Sequence, residues 1–205
     1  MNNSRSDEYI CYFGFGSLVN RATLPTDCVE VFPATLKGWR RHWQARPSRS
    51  MSSPHLQLIA MLSIHRDPSC DINGVLVVDR MANLPVLEKR EHAYNKVALS
   101  KSDLFIDNNE ISKFGDIPIH THVSPVVEST DKPLSILRSY LDVVMQGYYH
   151  HFGEPGIDHF LQSTAGFNLA IHEDRKRPVY SRHQLITTAE TAIFDRILPN
   201  QYWRK

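Results

Sequence analysis

The chain has 205 residues, 41% of them hydrophobic, a size and composition that fit one globular domain able to bury most of its apolar surface. Its 23 Lys and Arg against 22 Asp and Glu leave a formal charge of +1, too weak a field to gather nucleic acid or an acidic membrane, so the expected partner is a small molecule. Three cysteines, Cys11, Cys28 and Cys70, stand far apart without CxxC spacing, which argues against a disulfide framework and a zinc knuckle and points to a reducing, cytoplasmic setting.

The first eight residues are polar and lack the apolar segment of a secretory signal, and nowhere do about 18 apolar residues run together, so a soluble protein is expected. Residues 9–15 then read as a short apolar strand, with Gly14, Gly16 and Ser17 marking a tight turn behind it. Residues 18–24 follow as a brief helix closed by Pro25. Strands are predicted over 29–36, 56–64 and 74–78, where β-branched and other apolar residues cluster between Pro, Gly and Asp. The Arg-, Ser- and Pro-rich stretch 45–54 reads as a loop.

Residues 81–90 place Leu84 and Leu87 on one side of a short helix that ends in Glu88, Lys89 and Arg90, and 94–99 return to strand. One or two strands joined by exposed turns are expected within 100–132. The clearest helical period lies in 134–152, where Leu137, Tyr140, Leu141, Val144 and Tyr148 share a face behind Pro133. A second helix is read at 157–162 and a late one at 188–198. No repeat, low-complexity block or linker divides the chain, so residues 1–205 are read as a single domain. Periodicity supports a mixture of strands and helices, hence an α+β class.

Two segments carry groups suited to chemistry. In Phe13-Gly14-Phe15-Gly16-Ser17-Leu18 the glycines let the backbone approach a ligand closely and aim N–H groups at a carboxylate or phosphate. Alone, such a turn more often just redirects the chain, and it lacks the third glycine and the lysine of nucleotide loops. In Leu87-Glu88-Lys89-Arg90-Glu91, followed by Tyr94, a carboxylate sits where helix gives way to strand, a place where scaffolds present reactive groups. Alone, Glu91 reads as a solvated helix-end charge, as does Glu88.

Together these segments resemble the γ-glutamylcyclotransferase superfamily, which includes ChaC-type and γ-glutamylamine-type members. Its first-strand pattern, [F/Y]-x-Y-G-S-[L/N], is matched by residues 13–18, its G-V-L strand by Gly74-Val75-Leu76, and its L-D-x-x-E segment by residues 87–91. Many members also place a tyrosine in a late helix seven residues before a glycine and ahead of a G-x-P turn, as Tyr140, Gly147 and Gly153-Glu154-Pro155 do here. The resemblance runs over about residues 9–155. Two positions depart from the pattern: Phe15 replaces the usual tyrosine, and Glu88 the usual aspartate.

The resemblance implies a small, partly closed β-barrel flanked by helices, and a reaction without water or cofactor. The α-amine of a γ-glutamyl compound attacks its own γ-carbonyl, closing 5-oxoproline and expelling the attached amine. Such a ring closure needs mainly positioning, since nucleophile and electrophile share one molecule. By analogy Phe15, Gly16, Ser17 and Leu18 contact the substrate, the N–H groups of Gly16–Leu18 gripping the α-carboxylate, Tyr140 faces the glutamyl unit from the opposite wall, and Glu91 takes the amine proton and returns it to the leaving group. Partial burial would raise the Glu91 pKa toward neutrality, as that double role requires. Glutathione, γ-glutamyl amino acids and γ-glutamylamines share the end this pocket would read, so specificity is assigned to a far wall built from residues 45–54 and the C-terminal tail.

Other chemistries fit less well. His120 and His122 would share a strand face, but no nearby Asp, Glu or Cys pattern completes a metal site, and they read as surface histidines. His150 and His151 diverge by about 100° on a helix. Cys11, inside an apolar strand, reads as a small core residue rather than a nucleophile. The run Trp39-Arg40-Arg41-His42-Trp43, with Arg46 and Arg49, mixes aromatic and basic residues, yet on a chain of +1 it reads as strand and loop with Arg side chains near the pocket mouth. The alternative function is a non-catalytic protein that binds or senses a small carboxylate on the same fold, against which the retained Glu91 speaks.

Overall fold

The apolar run behind the polar start forms β1 (Tyr9–Gly14), in a computed structural model that describes residues 8–45, 59–107, 109–125 and 133–198. Ile10 through Gly14 are all buried, the signature of a strand covered on both faces. Along one side of β1 runs β3 (Ala60–Arg80), antiparallel, with Tyr9 opposite Arg80 and Gly14 opposite Val75. Along the other runs β6 (Ile119–Val123), parallel, with Cys11 opposite Ile119. Outside these lie β2 (Glu30–Ala45), antiparallel to β3, and β4 (Asn95–Leu99), antiparallel to β6. The two-residue strands β5 (Leu104–Phe105) and β8 (Thr164–Ala165) pair with β2, and β7 (Ser135–Leu137) with β9 (Ala170–His172) form a separate parallel pair. The main sheet runs β4-β6-β1-β3-β2-β5 and curls into a half-barrel.

Three α-helices occur among the described residues: α1 (Leu84–Arg90), α2 (Arg138–Gln162) and α3 (Thr188–Ile197). The fold is therefore α+β, a curled, partly closed sheet with helices, as the motif resemblance implied. On α2, Leu141, Val144, Met145 and Tyr148 are wholly buried and join Phe13, Leu62, Val75 and Leu76 in the apolar core. The α2 helix is interrupted at Gly153, whose φ of 66° is open to glycine and costly for other residues, so the two helices read at 134–152 and 157–162 are two segments of one interrupted element. At α3, Thr187 and Glu190 form a reciprocal capping box.

Several boundaries differ from the sequence expectation. The strands read at 29–36, 56–64 and 74–78 belong to the two long strands β2 and β3, with residues 56–58 outside the described residues. The polar stretch 65–71, with Asp67, Pro68 and Asp71, lies between two predicted strands and carries none of its own in that reading, but it is the largely exposed middle of a long ribbon. There the pairing slips between Lys37 and Trp39, Gly38 takes φ 72°, and its N–H donates to Asp71 Oδ1 at 2.9 Å. The helix read at 18–24 is instead two 3-10 turns, Ser17–Val19 and Arg21–Thr23, separated by Asn20. The helix read from 134 starts at Arg138, because residues 135–137 are held as a strand against β9.

The arginine-aromatic run is also corrected. Trp39 to Trp43 lie within β2, and Arg41 is fully buried rather than near a pocket mouth. Its guanidinium donates to Thr164 Oγ1 at 3.0 Å, the Asn73 carbonyl at 2.6 Å, the Tyr148 hydroxyl at 2.7 Å and Ser163 Oγ. Arg40 pairs with Asp67 at 2.6 Å. Arg46 and Arg49 lie outside the described residues, as does most of the loop read at 45–54.

Candidate active site

The turn after β1 is fixed from below by α2. Asn20 Nδ2 donates to the Val143 carbonyl at 3.0 Å and to Gln146 Oε1 at 2.9 Å, while its Oδ1 accepts from the Ala22 N–H. The Tyr148 hydroxyl donates to the Phe15 carbonyl at 2.9 Å. Gly147 permits this approach, since a β-carbon there would lie 2.7 Å from Asn20 N and 2.8 Å from the Val19 carbonyl carbon. The glycine seven residues after Tyr140 is therefore a contact surface for the turn. Ser17 and Leu18 open the first 3-10 turn, where N–H groups have no acceptor within the turn, and Gly16 provides no side-chain cap. A β-carbon at Gly16 would stand 3.1 Å from the Tyr140 hydroxyl oxygen, so that hydroxyl lies directly over the turn.

Glu91 ends α1. Its N–H donates to the Leu87 carbonyl at 2.9 Å and its carbonyl accepts from the Tyr94 N–H at 2.8 Å, turning the chain toward β4. Its side chain is 11% exposed and meets Arg90 Nε at 3.1 Å. Burial pushes the carboxyl above its ordinary value, against the opposing pull of Arg90 and then Arg182. Arg90 in turn donates to the Thr23 carbonyl at 2.6 Å, Ser17 Oγ at 3.0 Å and Thr23 Oγ1 at 3.2 Å. One guanidinium thus ties the end of α1 to the turn after β1 and sets the carboxylate beside it. Glu88, by contrast, is exposed.

All six residues singled out in the sequence, Phe15, Gly16, Ser17, Leu18, Glu91 and Tyr140, line one recess, together with Phe13, Leu62, Tyr94 and His122. The recess adjoins a small, open cleft that shares Ser17, Glu91, Tyr94 and Tyr140 and adds Met61, Arg90, Leu137, Tyr180 and Arg182. Tyr94 donates to the Leu62 carbonyl at 3.1 Å, and Tyr140 packs between Trp43 and Tyr180 with ring centres 5.7 and 4.8 Å away.

Arg90, His122, Tyr180 and Arg182 were not picked out as site residues in the sequence. Arg90 stood in the run read as helix-end charge, and nothing in its spacing marks the bond to a serine 73 positions earlier. His120 and His122, read as surface histidines, are buried, with rings 5.1 Å apart. Burial, then Lys96 and Arg90, hold His122 down to about 4, so it enters the recess as a neutral imidazole. Cys11 is buried as a core residue, with its thiol pushed up by burial to about 12.

No protein-family model and no curated protein sequence matches the chain. Solved structures do. A structure named gamma-glutamyl cyclotransferase is similar with a TM-score of 0.56 at 14% identity, over 92% of this chain and 99% of that one. An uncharacterized protein from Homo sapiens is similar to the same degree, with the same coverage. YkqA from Bacillus subtilis is similar with a TM-score of 0.50 at 18% identity, over 80% of this chain and 58% of that one. The chain has the γ-glutamylcyclotransferase-like fold. Among the described residues, no helix is long and apolar enough to cross a membrane.

Proposed function

We propose that this chain is a γ-glutamylcyclotransferase, converting a γ-glutamyl compound into 5-oxoproline and a free amine. The observation that supports this best is a buried carboxylate, Glu91, with its proton affinity raised, in the same recess as an anion-ready backbone turn and the Tyr140 hydroxyl. The Ser17 and Leu18 N–H groups hold the substrate α-carboxylate, and Tyr140 closes over the glutamyl chain, bending the α-amine toward the γ-carbonyl. Ionised Glu91 accepts a proton from the α-ammonium, and the freed nitrogen lone pair forms the ring C–N bond. Collapse of the tetrahedral intermediate breaks the bond to the leaving nitrogen, which receives the proton from Glu91, while the ring nitrogen gives up its second proton to solvent, leaving a neutral lactam, a free amine and a restored carboxylate.

A base with this double duty works best when its proton affinity lies between that of a free carboxylate and that of an amine, and burial moves Glu91 in that direction. Arg90 has a positioning role, since it touches Glu91, Ser17 and Thr23 at once. Phe15 contributes an apolar wall where the family pattern has a tyrosine, leaving Tyr140 and Tyr94 to supply phenol groups in the recess. The test is incubation with glutathione, γ-glutamyl amino acids and γ-glutamylamines, measuring 5-oxoproline release. Release from at least one class is expected, whereas binding without any product would instead favour a carboxylate-binding or sensing protein.

A further inference from the structure

Past the recess, the far side of the cleft is built by the segment between β9 and α3, and that segment is held in place at several points. Asp174, itself buried, accepts from the Ser139 N–H at 2.7 Å, Ser139 Oγ at 2.6 Å and the Val179 N–H at 2.9 Å. Arg175 grips Asp142 through both oxygens, at 2.6 and 3.0 Å, and reaches Asp195. The Tyr180 N–H lies 3.3 Å from Ser139 Oγ while its ring packs on Tyr140, and Gln146 Nε2 donates to the Leu185 carbonyl at 3.0 Å. Between these last two anchors stands Arg182, whose side chain lines the cleft with Glu91, Tyr94 and Tyr180.

The Arg182 guanidinium makes no ion pair and no side-chain hydrogen bond among the described residues, although its charge is felt at Glu91. Among the described residues, the charged groups lining the cleft are Arg90, Glu91 and Arg182. Arg90 and Glu91 pair at 3.1 Å, so the Arg182 charge is left over. His122 adds none, because its imidazole is neutral at ordinary pH.

We infer that Arg182 reads a carboxylate on the leaving amine, so that the substrate is a γ-glutamyl amino acid or short γ-glutamyl peptide rather than a γ-glutamylamine. This rests on the cyclotransferase reading of the same cleft. A γ-glutamyl amino acid carries two carboxylates and one ammonium at neutral pH. The turn at Ser17 takes one carboxylate and Glu91 faces the ammonium, which leaves the second carboxylate for the surplus guanidinium. A γ-glutamylamine lacks that group and would leave Arg182 unanswered. The segment's anchors on Ser139, Asp142 and Gln146 fix the stretch that carries Arg182 on the cleft wall, as discrimination between leaving groups requires.

The test uses two substrates that differ only by this carboxylate, γ-glutamylalanine and γ-glutamylethylamide, with the full-length wild-type protein and Arg182→Gln. Wild type is expected to favour γ-glutamylalanine in kcat/KM by about fivefold to tenfold, the range of one partly exposed charge-assisted contact. In Arg182→Gln the ratio should fall close to one, mainly through KM. Equal use of the two by wild type, or an unchanged ratio in the variant, overturns the inference. If neither compound is turned over, calorimetric binding of the same pair decides the role of Arg182, and the cyclotransferase reading fails only if glutathione also yields no 5-oxoproline. Preference for γ-glutamylalanine that is lost in Arg182→Gln supports the carboxylate contact, and equal binding refutes it.

Discussion

Replacing Glu91 with Gln separates catalysis from structure. The amide keeps the size of the side chain, and the groups that would hold substrate, the Ser17–Leu18 backbone and Tyr140, do not depend on its charge. Arg90 loses an ion pair at 3.1 Å but keeps its bonds to the Thr23 carbonyl, Ser17 Oγ and Thr23 Oγ1. What disappears is proton transfer, so kcat should fall by about 10²–10⁴-fold, or about 3–5 kcal/mol of barrier, with KM changed little.

Stability should move the other way. An acid that binds its proton more tightly in the folded than in the unfolded chain lowers stability as pH rises through the window between the two pKa values. For Glu91 that window opens at the ordinary value of 4.5 and extends upward, since burial raises the folded value. Glutamine stays neutral and escapes the penalty. Chemical denaturation should therefore find Glu91→Gln at least as stable as wild type at pH 7, with its relative advantage shrinking toward acid. Wild-type kcat/KM should show an acid limb above the usual carboxylate range that the variant lacks. Turnover within tenfold of wild type would refute the proton role, and a large loss of stability at pH 7 would make Glu91 a structural partner of Arg90 instead.

Two further variants probe the scaffold. Gly147→Ala should lower stability by about 1–3 kcal/mol, because the new β-carbon meets a turn backbone that Asn20 holds rigidly and cannot yield. Thermal unfolding checks this, and a raised midpoint, which helix propensity alone predicts, would contradict the close contact. Arg41→Met should cost about 1–3 kcal/mol in urea unfolding, because the Asn73 carbonyl and the Ser163 and Thr164 oxygens lose their buried donor and keep only Tyr148 and the α2 carbonyls of His159 and Phe160 as partners. An unchanged midpoint would show that these groups find other partners.

Local signals in the sequence pointed to the near half of the candidate site. The glycine turn after an apolar strand, the glutamate at a helix end and Tyr140 on a strongly periodic helix each pointed to an element that exists, and those elements converge on one recess. The far half was illegible for a physical reason. Arg90 meets Ser17 only because α1 folds back across the end of β1, and Arg182 reaches the cleft only through anchors on α2. Contacts of that span leave no periodic trace in a linear sequence. The same limit produced the errors in the sheet. Asp67, Pro68 and Asp71 look like a turn in any short window, but long-range pairing with β2 carries the strand through them. Arg41 reads as an arginine near a pocket mouth because a guanidinium is buried only when several partners, here Asn73, Tyr148, Ser163 and Thr164, are brought to it from distant segments.

The central claim is ring closure assisted by Glu91, and the most direct measurement identifies the acyl product. Purified protein incubated with γ-glutamylalanine in isotopically labelled water, followed by mass spectrometry, should yield alanine and 5-oxoproline in equal amounts, with no label in the 5-oxoproline and little of either product from Glu91→Gln. Labelled glutamate would mean hydrolysis, and no acyl product from γ-glutamylalanine, glutathione or a γ-glutamylamine would mean no ring closure; either result contradicts the account.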